Sequence, residues 1–357
     1  MSLGPDVELD RGGGDPSPAN LRSRAVQAEP GAGAPDESGD DTLQAVAAAA
    51  SDGLLRARKR LPAWLLYDQQ GSALFEEITA LPEYYLTRTE RGILAAHAAD
   101  MIRAAGPPLS VVELGAGSAS KTRLLLQALV AQQGRAAYTP VDVSPSALLH
   151  AQLQLRDIDR LAVHPVLARY PEQLGFLRGL RGRHLVLFLG SNIGNYDARA
   201  ARTLLTAVRR QLTPGDAFLM GTDLRKSPAH LLPAYDDARG VTARFNQNVL
   251  RRLNRQLGAA FVVERFRHLV RWNAAASRVE LYLQSQIAQT VPIAALGVGV
   301  RFTAGERIHT ESSYKFTQSR VRALLGGAGF RWQITWRDPR GWFAVHLARV
   351  PAPARPR

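Results

Sequence analysis

The 357-residue chain contains no cysteine. That absence excludes disulfides, thiolate metal sites and cysteine nucleophiles. No run of about 18 apolar residues occurs, so no membrane-spanning helix and no membrane partner are expected. The first 24 residues hold no apolar core behind a basic start, which leaves no secretory leader to read. A soluble, cytoplasmic protein follows from these two absences. None of the eight histidines clusters with carboxylates in a metal-like pattern, and no metal is expected. Nucleic-acid-binding modules are missing as well. The formal net charge of +14 comes mostly from arginines scattered through helical patterns such as AVRRQL and VLRRLNRQL, without interleaved aromatics. Such charge reads as a solvated surface, and no nucleic-acid partner is expected.

What is present divides into segments. Residues 1–45 are rich in Gly, Pro, Ser and Asp and carry nine acids against three arginines. With almost no large apolar residues they are read as a disordered tail, and residues 351–357 as a second one. From residue 109 short apolar strands alternate with stretches able to form helices: LSVVELGAG, AAYTPVDVS, LAVHPVLA, HLVLFLGS and DAFLMGTDL. In ARTLLTAVRRQL, Leu204, Leu205, Val208 and Leu212 recur at helical spacing, giving one apolar stripe to lay on a sheet. This alternation is the signature of a doubly wound α/β domain. ITWRD and WFAVHLARV flank the turn PRG and read as an antiparallel hairpin at the sheet edge. The expected core therefore comprises residues 109–224 and 316–350. Residues 46–108, read as helical, and the insertion 225–315 are assigned to a smaller α+β substrate-binding subdomain. Within the insertion, Leu224 to Ser277 is expected to be mostly helical, followed by a strand pair from RVELYLQSQ and RIHTESSYKF.

The stretch VVELGAGSASKT (111–122) places Gly115 and Gly117 between a strand and a helix. Glycines and free helix-start amides there let a ligand approach the backbone. The same turn serves dinucleotides, so S-adenosylmethionine and NAD both stand as candidates. Ser120 occupies the place of the third glycine, which suits a pyrophosphate less well. Asp142 ends the next strand, where a carboxylate can accept from both ribose hydroxyls of either cofactor. FLGSNIGNYD (188–197) follows the fourth strand over the crevice in which open α/β sheets hold ligands.

Five separated segments, YDQQGSALFEEITALPEYYLTRTE, ELGAGSASKTRLLL, LGSNIGNYD, AYDDARGVTARFNQNVLRRLNRQLGA and GERIHTESSYKF, resemble the L-histidine Nα-methyltransferases of ergothioneine biosynthesis. The resemblance implies a Rossmann-like class I fold and methylation of histidine to the trimethylated betaine hercynine, with S-adenosylmethionine as cofactor. It implies cofactor contacts from Glu113, Gly115, Gly117, Lys121, Asp142 and Tyr170. It places Tyr67, Gly190, Asn195 and Tyr235 around the amino acid end of histidine, Tyr84 on the pocket wall, and Glu311 and Ser313 at the imidazole. Tyr67 is the candidate for orienting the amine, with Asn195 as its partner, and no residue is assigned as general base. Two positions depart from the family pattern. Arg169 stands where relatives usually carry an acid suited to the adenine amino group, and Leu281 where close relatives often carry Met.

Elementary geometry supports the imidazole assignment. Alternate residues of a strand share a face, so Glu311 and Ser313 project together while Ser312 points away. A carboxylate and a hydroxyl can satisfy the two ring nitrogens of an imidazole. The competing arrangement is an internal pair between Glu311 and Lys315, which lies on the same face. The chain is read as a monomeric enzyme acting on a small amino acid. A paralogue for another amino acid, an NAD-dependent oxidoreductase and a nucleic-acid-binding protein are the alternatives. The tail reading carries a test: deletion of residues 1–45 is expected to leave melting temperature and turnover unchanged.

Overall fold

The computed structural model describes residues 40–352; most of the expected N-terminal tail and the last five residues of the chain lie outside them. The first described element corrects the tail boundary. Helix α1 (Asp40–Leu54) begins before residue 46, and Val46, Ala50 and Leu54 form its buried stripe. The alanine-rich run AVAAAA favours a helix by propensity, and the stripe fixes it to the body. A truncation compatible with this fold ends at residue 39.

Helices α2 (Gln69–Thr79) and α3 (Tyr85–Ala105) follow. The α/β alternation then gives β1 (Ser110–Leu114), α4 (Thr122–Gln133), β2 (Ala136–Asp142), α5 (Pro145–Leu155), the short β3 (Leu161–Val163) and β4 (Val166–Leu167), β5 (His184–Phe188), α6 (Ala198–Gln211) and β6 (Ala217–Asp223). The main sheet runs β12-β13-β6-β5-β1-β2-β3, with β4 also paired to β2. Here β12 (Arg331–Arg337) and β13 (Phe343–Arg349) form the expected antiparallel hairpin on the β6 edge, and the other strands are parallel. Every residue of β5 and β6 is buried, as befits strands covered on both faces by helices. The strand order reverses between β1 and β5, which opens a crevice at their carboxyl ends.

The remaining elements follow β6. They are α7 (Pro228–Leu231), α8 (Val241–Leu257), β7 (Phe266–Asn273), β8 (Arg278–Ser285), β9 (Gln289–Ile293), β10 (Val298–Phe302) and β11 (Arg307–Tyr314), with α9 (Gln318–Gly327) leading back to β12. Of them, β8 and β11 contribute residues to the crevice. Strands β11, β8 and β7 make an antiparallel sheet, and β9 and β10 a separate hairpin. Two expectations change here. The stretch read as helical up to Ser277 ends in β7, whose FRHLVRWN sequence carries neither a clean helical nor a clean alternating pattern. Its pairing with β8 along the whole strand, from Phe266 opposite Ser285 to Asn273 opposite Arg278, decides the conformation, as tertiary context commonly does for strands. Secondly, α3 packs against α4, β6 and β13. It is a cover of the main sheet, although residues 46–108 are read from sequence as one substrate-side block. Helices α1 and α2 do pack on α8.

One residue joins α2 to α8. Asp68 caps α2 by accepting from the Gly71 amide at 2.8 Å and also accepts from Asn248 Nδ2 of α8 at 2.6 Å. Arg255 of α8 completes its partners. Because Asp68 adjoins Tyr67, this junction fixes the entry of Tyr67 into the crevice. Asp68→Ala removes a cap and leaves the Asn248 amide without its buried acceptor, so a loss of about 2–3 kcal/mol in urea unfolding is expected. A change below roughly 0.5 kcal/mol, the scale of a neutral surface substitution, would show that the helices are held by packing alone.

Candidate active site

An open cleft of about 1880 Å³ runs from the carboxyl ends of β1, β2 and β5 to the face of β11. Tyr67, Gly115, Gly117, Asp142, Tyr170, Asn195 and Glu311 line it. Its floor is the turn after β1. Gly115 has φ of +72°, and a Cβ on it would come within 2.8 Å of Tyr170 Oη and 3.0 Å of Asn192 Nδ2. Both the backbone conformation and the close approach therefore demand glycine. The Gly117 amide donates to Asp142 Oδ2 and the Ser144 amide to Oδ1, each at 3.0 Å. Burial raises the Asp142 carboxyl above its ordinary range, and these amides oppose the rise. A carboxylate has about four lone-pair sites, so Asp142 can still accept from a ligand diol. The backbone cradle and this acid fit an adenosyl ligand. Arg169 also lines the cleft, where it stacks on Trp64 at 4.7 Å, and Tyr170 is the side chain over Gly115.

Two other residues implied at the cofactor are engaged by protein partners. Glu113 is buried and does not line the cleft. Thr122 Oγ1 donates to its two oxygens at 2.8 and 2.7 Å, and Tyr138 Oη to one of them at 2.5 Å. Burial pushes its carboxyl up to about 7 against these donors. Glu113 thus braces β1, the start of α4 and β2 from beneath, and its assignment as a cofactor contact is corrected. Lys121 is likewise engaged, in an ion pair with Glu90 of α3. The Gly190 amide donates to the same carboxylate at 2.9 and 3.0 Å. Glu90 therefore holds two of the expected site positions, and the sequence reading passed over it. A signal was available: the acid falls in the apolar stripe Leu86, Ile93, Leu94 of α3, and every member of that stripe is buried.

The substrate side is aromatic. The Tyr67 ring meets Phe75 and Phe245 edge-on at 5.5 and 5.4 Å, and Tyr84 meets Phe75 at 6.1 Å and Tyr235 at 6.4 Å. Phe75 and Phe245 were not anticipated from sequence. Tyr84, Gly190, Tyr235, Leu281 and Ser313 lie behind the cleft wall, not on it. Leu281 is 1% exposed and pairs across the strands with Glu311, so it is a core residue. Tyr235 Oη and Ser313 Oγ are hydrogen-bonded at 2.8 Å.

Glu311 and Lys315 do not pair. Lys315 bonds Asp223 at 2.8 Å at the end of β6. Glu311 is 9% exposed, and its carboxylate opens onto the cleft with no hydrogen-bond or ion-pair partner among the described residues. Burial pushes it up to about 7, with the Lys315 charge acting in the opposite direction. The Tyr67 hydroxyl and the Asn195 side chain also belong to the cleft lining, without hydrogen-bond partners among the described residues. Burial, and next the Glu311 charge, raise the Tyr67 phenol, so it stays protonated at neutral pH. Among the described residues no cluster of His, Asp and Glu suited to a metal ion occurs.

A sheet of this strand order, bearing a glycine cradle after β1 and an acid at the end of β2, is the fold of the class I methyltransferases. The profile of histidine-specific, SAM-dependent methyltransferases matches residues 46–350, and the chain belongs to that family. It is 42% identical to the histidine N-alpha-methyltransferase of Mycolicibacterium smegmatis over 310 residues, 87% of this chain and 96% of that one. Identity to ergothioneine biosynthesis protein 1 of Neurospora crassa is 31%, over 78% of this chain and 32% of that protein. The 4-dimethylallyltryptophan N-methyltransferase of Epichloe festucae var. lolii is 26% identical, over 80% of this chain and 90% of that one.

The Glu90 arrangement depends on Gly221 in β6. A Cβ at that position would lie 2.0 Å from Glu90 Oε1. Gly221→Ala must displace the carboxylate that holds Lys121 and the Gly190 amide. The expected cost is about 1–3 kcal/mol in denaturant unfolding, with weaker binding of S-adenosylmethionine in calorimetry. Unchanged stability together with unchanged binding would show that Glu90 moves without consequence.

Proposed function

We infer that this chain methylates the α-amine of L-histidine, up to trimethylated hercynine, as a step of ergothioneine biosynthesis. The observation that carries the reading is the set of unpartnered polar groups on one cleft wall: Tyr67 Oη, the Asn195 amide and the buried Glu311 carboxylate. A carboxylate that opens only onto the cleft loses its water when a ligand covers it, and that loss is costly unless the ligand donates to it. An imidazole N–H does so, while Tyr67 and Asn195 take the amino acid end.

S-adenosylmethionine supplies a methyl group already activated by its sulfonium. Gly115, Gly117, Asp142 and Tyr170 are the residues that would hold it. The remaining work of the protein is positioning. The Tyr67 phenol, kept neutral by burial, offers the amine a hydroxyl and no negative charge, so it orients the nitrogen without locking it as ammonium. Asn195 offers both an N–H and a carbonyl. The amine must shed a proton before it attacks, and no side chain is assigned to take it. Action as a monomer, on a free amino acid and not on a nucleic acid, is part of the same reading. A second reading, an aromatic amino acid as substrate, draws on Tyr67 and Phe75 on the wall and on Phe245 and Tyr84 packed behind them. Glu311 argues against it, because an apolar ring would leave that carboxylate buried and unpaired.

The test compares kcat/KM for histidine, phenylalanine and tryptophan in the wild type and in Glu311→Ala. A lost charged hydrogen bond of about 1.5–3 kcal/mol lowers the value for histidine roughly ten- to 150-fold, with far smaller losses for the other two. Equal losses for all three would make Glu311 a residue of the fold; an unaffected histidine rate would remove histidine as the substrate. pH gives an independent check. Glu311 is protonated below about 7 and ionised above it, and the ionised form is the stronger acceptor for the ring N–H. kcat/KM falls for both substrates as the free amine is lost, and the fall for histidine is expected to be steeper than that for phenylalanine as pH drops through about 7.

A further inference from the structure

Lys315 lies wholly inside the protein and uses every donor it has, to Asp223 Oδ2 at 2.8 Å, Tyr235 Oη at 2.7 Å and Ser313 Oγ at 2.9 Å. An ammonium group donates and never accepts. Both hydroxyl oxygens must therefore be acceptors towards Lys315. They are also 2.8 Å from each other, and one proton makes that bond. Two hydroxyls bring two protons, so one O–H is left over, and it has no acceptor among the described residues. Neither hydroxyl lines the open cleft, but the serine sits on the strand face that carries Glu311, two residues along β11, so the pair is met by a ring that seats against Glu311. A buried donor without an acceptor is costly, and a ligand atom with a free lone pair relieves that cost.

We propose that Lys315, fixed by Asp223, sets the polarity of the Tyr235–Ser313 pair and so makes the site demand a ring that offers both an N–H, for Glu311, and a bare nitrogen, for the spare hydroxyl. This rests on the histidine reading above and goes further, since it assigns recognition of the neutral imidazole to a residue behind the cleft wall. Lys315 is a positioning residue that acts through Ser313 and Tyr235. Its charge works in the same direction, because an imidazolium would set a second N–H against an O–H donor and a cation near Lys315. Without Lys315 the spare hydroxyl proton can turn to the vacated Asp223 Oδ2, and the demand for a bare ring nitrogen disappears. Asp223 keeps Lys226 and Tyr85 as partners in that case, so no buried carboxylate is orphaned.

The experiment uses ring analogues of nearly equal shape. The 4- and 5-thiazolylalanines keep one or the other ring nitrogen as a bare acceptor, and 3-thienylalanine keeps neither. With S-adenosylmethionine supplied, wild-type kcat/KM for one thiazole isomer is expected to exceed that for thienylalanine roughly tenfold or more. In Lys315→Met that preference shrinks to within about threefold, while the preference of histidine over the better thiazole, which reports on Glu311, is retained. Lys315→Gln, whose neutral amide accepts as well as donates, also frees the pair to turn and loses the preference; it keeps the comparison decisive if methionine prevents folding. A preference that survives in a folded variant removes Lys315 from recognition and leaves the histidine reading standing. A wild type indifferent to the ring nitrogen overturns both.

Discussion

The carboxylate of Asp223 is the point on which the two parts of the molecule agree. It sits fully buried at the end of β6, where a parallel strand delivers it to the crevice. Tyr85 of α3 donates to both of its oxygens, Lys315 reaches it from β11, and Lys226 closes the group. The Asp223 amide donates to Ser191 Oγ at 2.9 Å, which ties in the loop after β5. Two lysines around one carboxylate leave an excess positive charge, and burial pushes Lys226 down to about 8 although Asp223 opposes the fall. Such clusters contribute little net stability, because desolvation offsets the attraction, yet removal of one member is costly. Their value lies in specifying one arrangement. Here the arrangement is that of a sheet edge, a helix, a loop and a substrate-side strand.

The cofactor half of this molecule could be read before folding, and for physical reasons. The strands HLVLF and AFLMGTD announce themselves by continuous apolar character, and Gly115 is needed where backbone meets ligand. Asp142 follows from its place at the end of a strand. What escaped the sequence was decided by distant partners. Strand β7 carries no period of its own and is a strand because β8 pairs with it. Glu90, Phe75 and Phe245 come from helices whose faces only the packed molecule brings together. Glu113 and Lys121 carry the right chemistry at the right spacing, but Thr122 with Tyr138 and Glu90 claim them first. Local pattern thus locates a cradle, and it cannot say which charged neighbours are already satisfied.

The substrate side combines two demands that pull against each other. An aromatic cluster of Tyr67 and Phe75, backed by Phe245 and Tyr84, lowers the local dielectric, and that environment pushes both the Tyr67 phenol and the Glu311 carboxyl towards their neutral forms. The same environment strengthens any hydrogen bond that a ligand makes with them. Selectivity then comes from polar atoms left incomplete, since an apolar wall by itself separates rings of similar size only weakly. Relatives that share this frame while accepting a different amino acid need alter only which of those atoms stay unsatisfied.

The ion pairs described above also decide how the protein can be handled chemically. The whole chain has four lysines, Lys59, Lys121, Lys226 and Lys315. Each is paired with an acid, and their side chains are 11%, 19%, 6% and 0% exposed. Amine-reactive dyes, crosslinkers and resins therefore meet almost no available side-chain amine on the folded body, and forcing such coupling would attack the pairs that organise the cleft. Arginine carries the rest of the positive charge and is inert to these reagents. With no cysteine anywhere in the sequence, one thiol introduced at an exposed position would be a unique attachment point, and a probe placed there would leave the charge network intact.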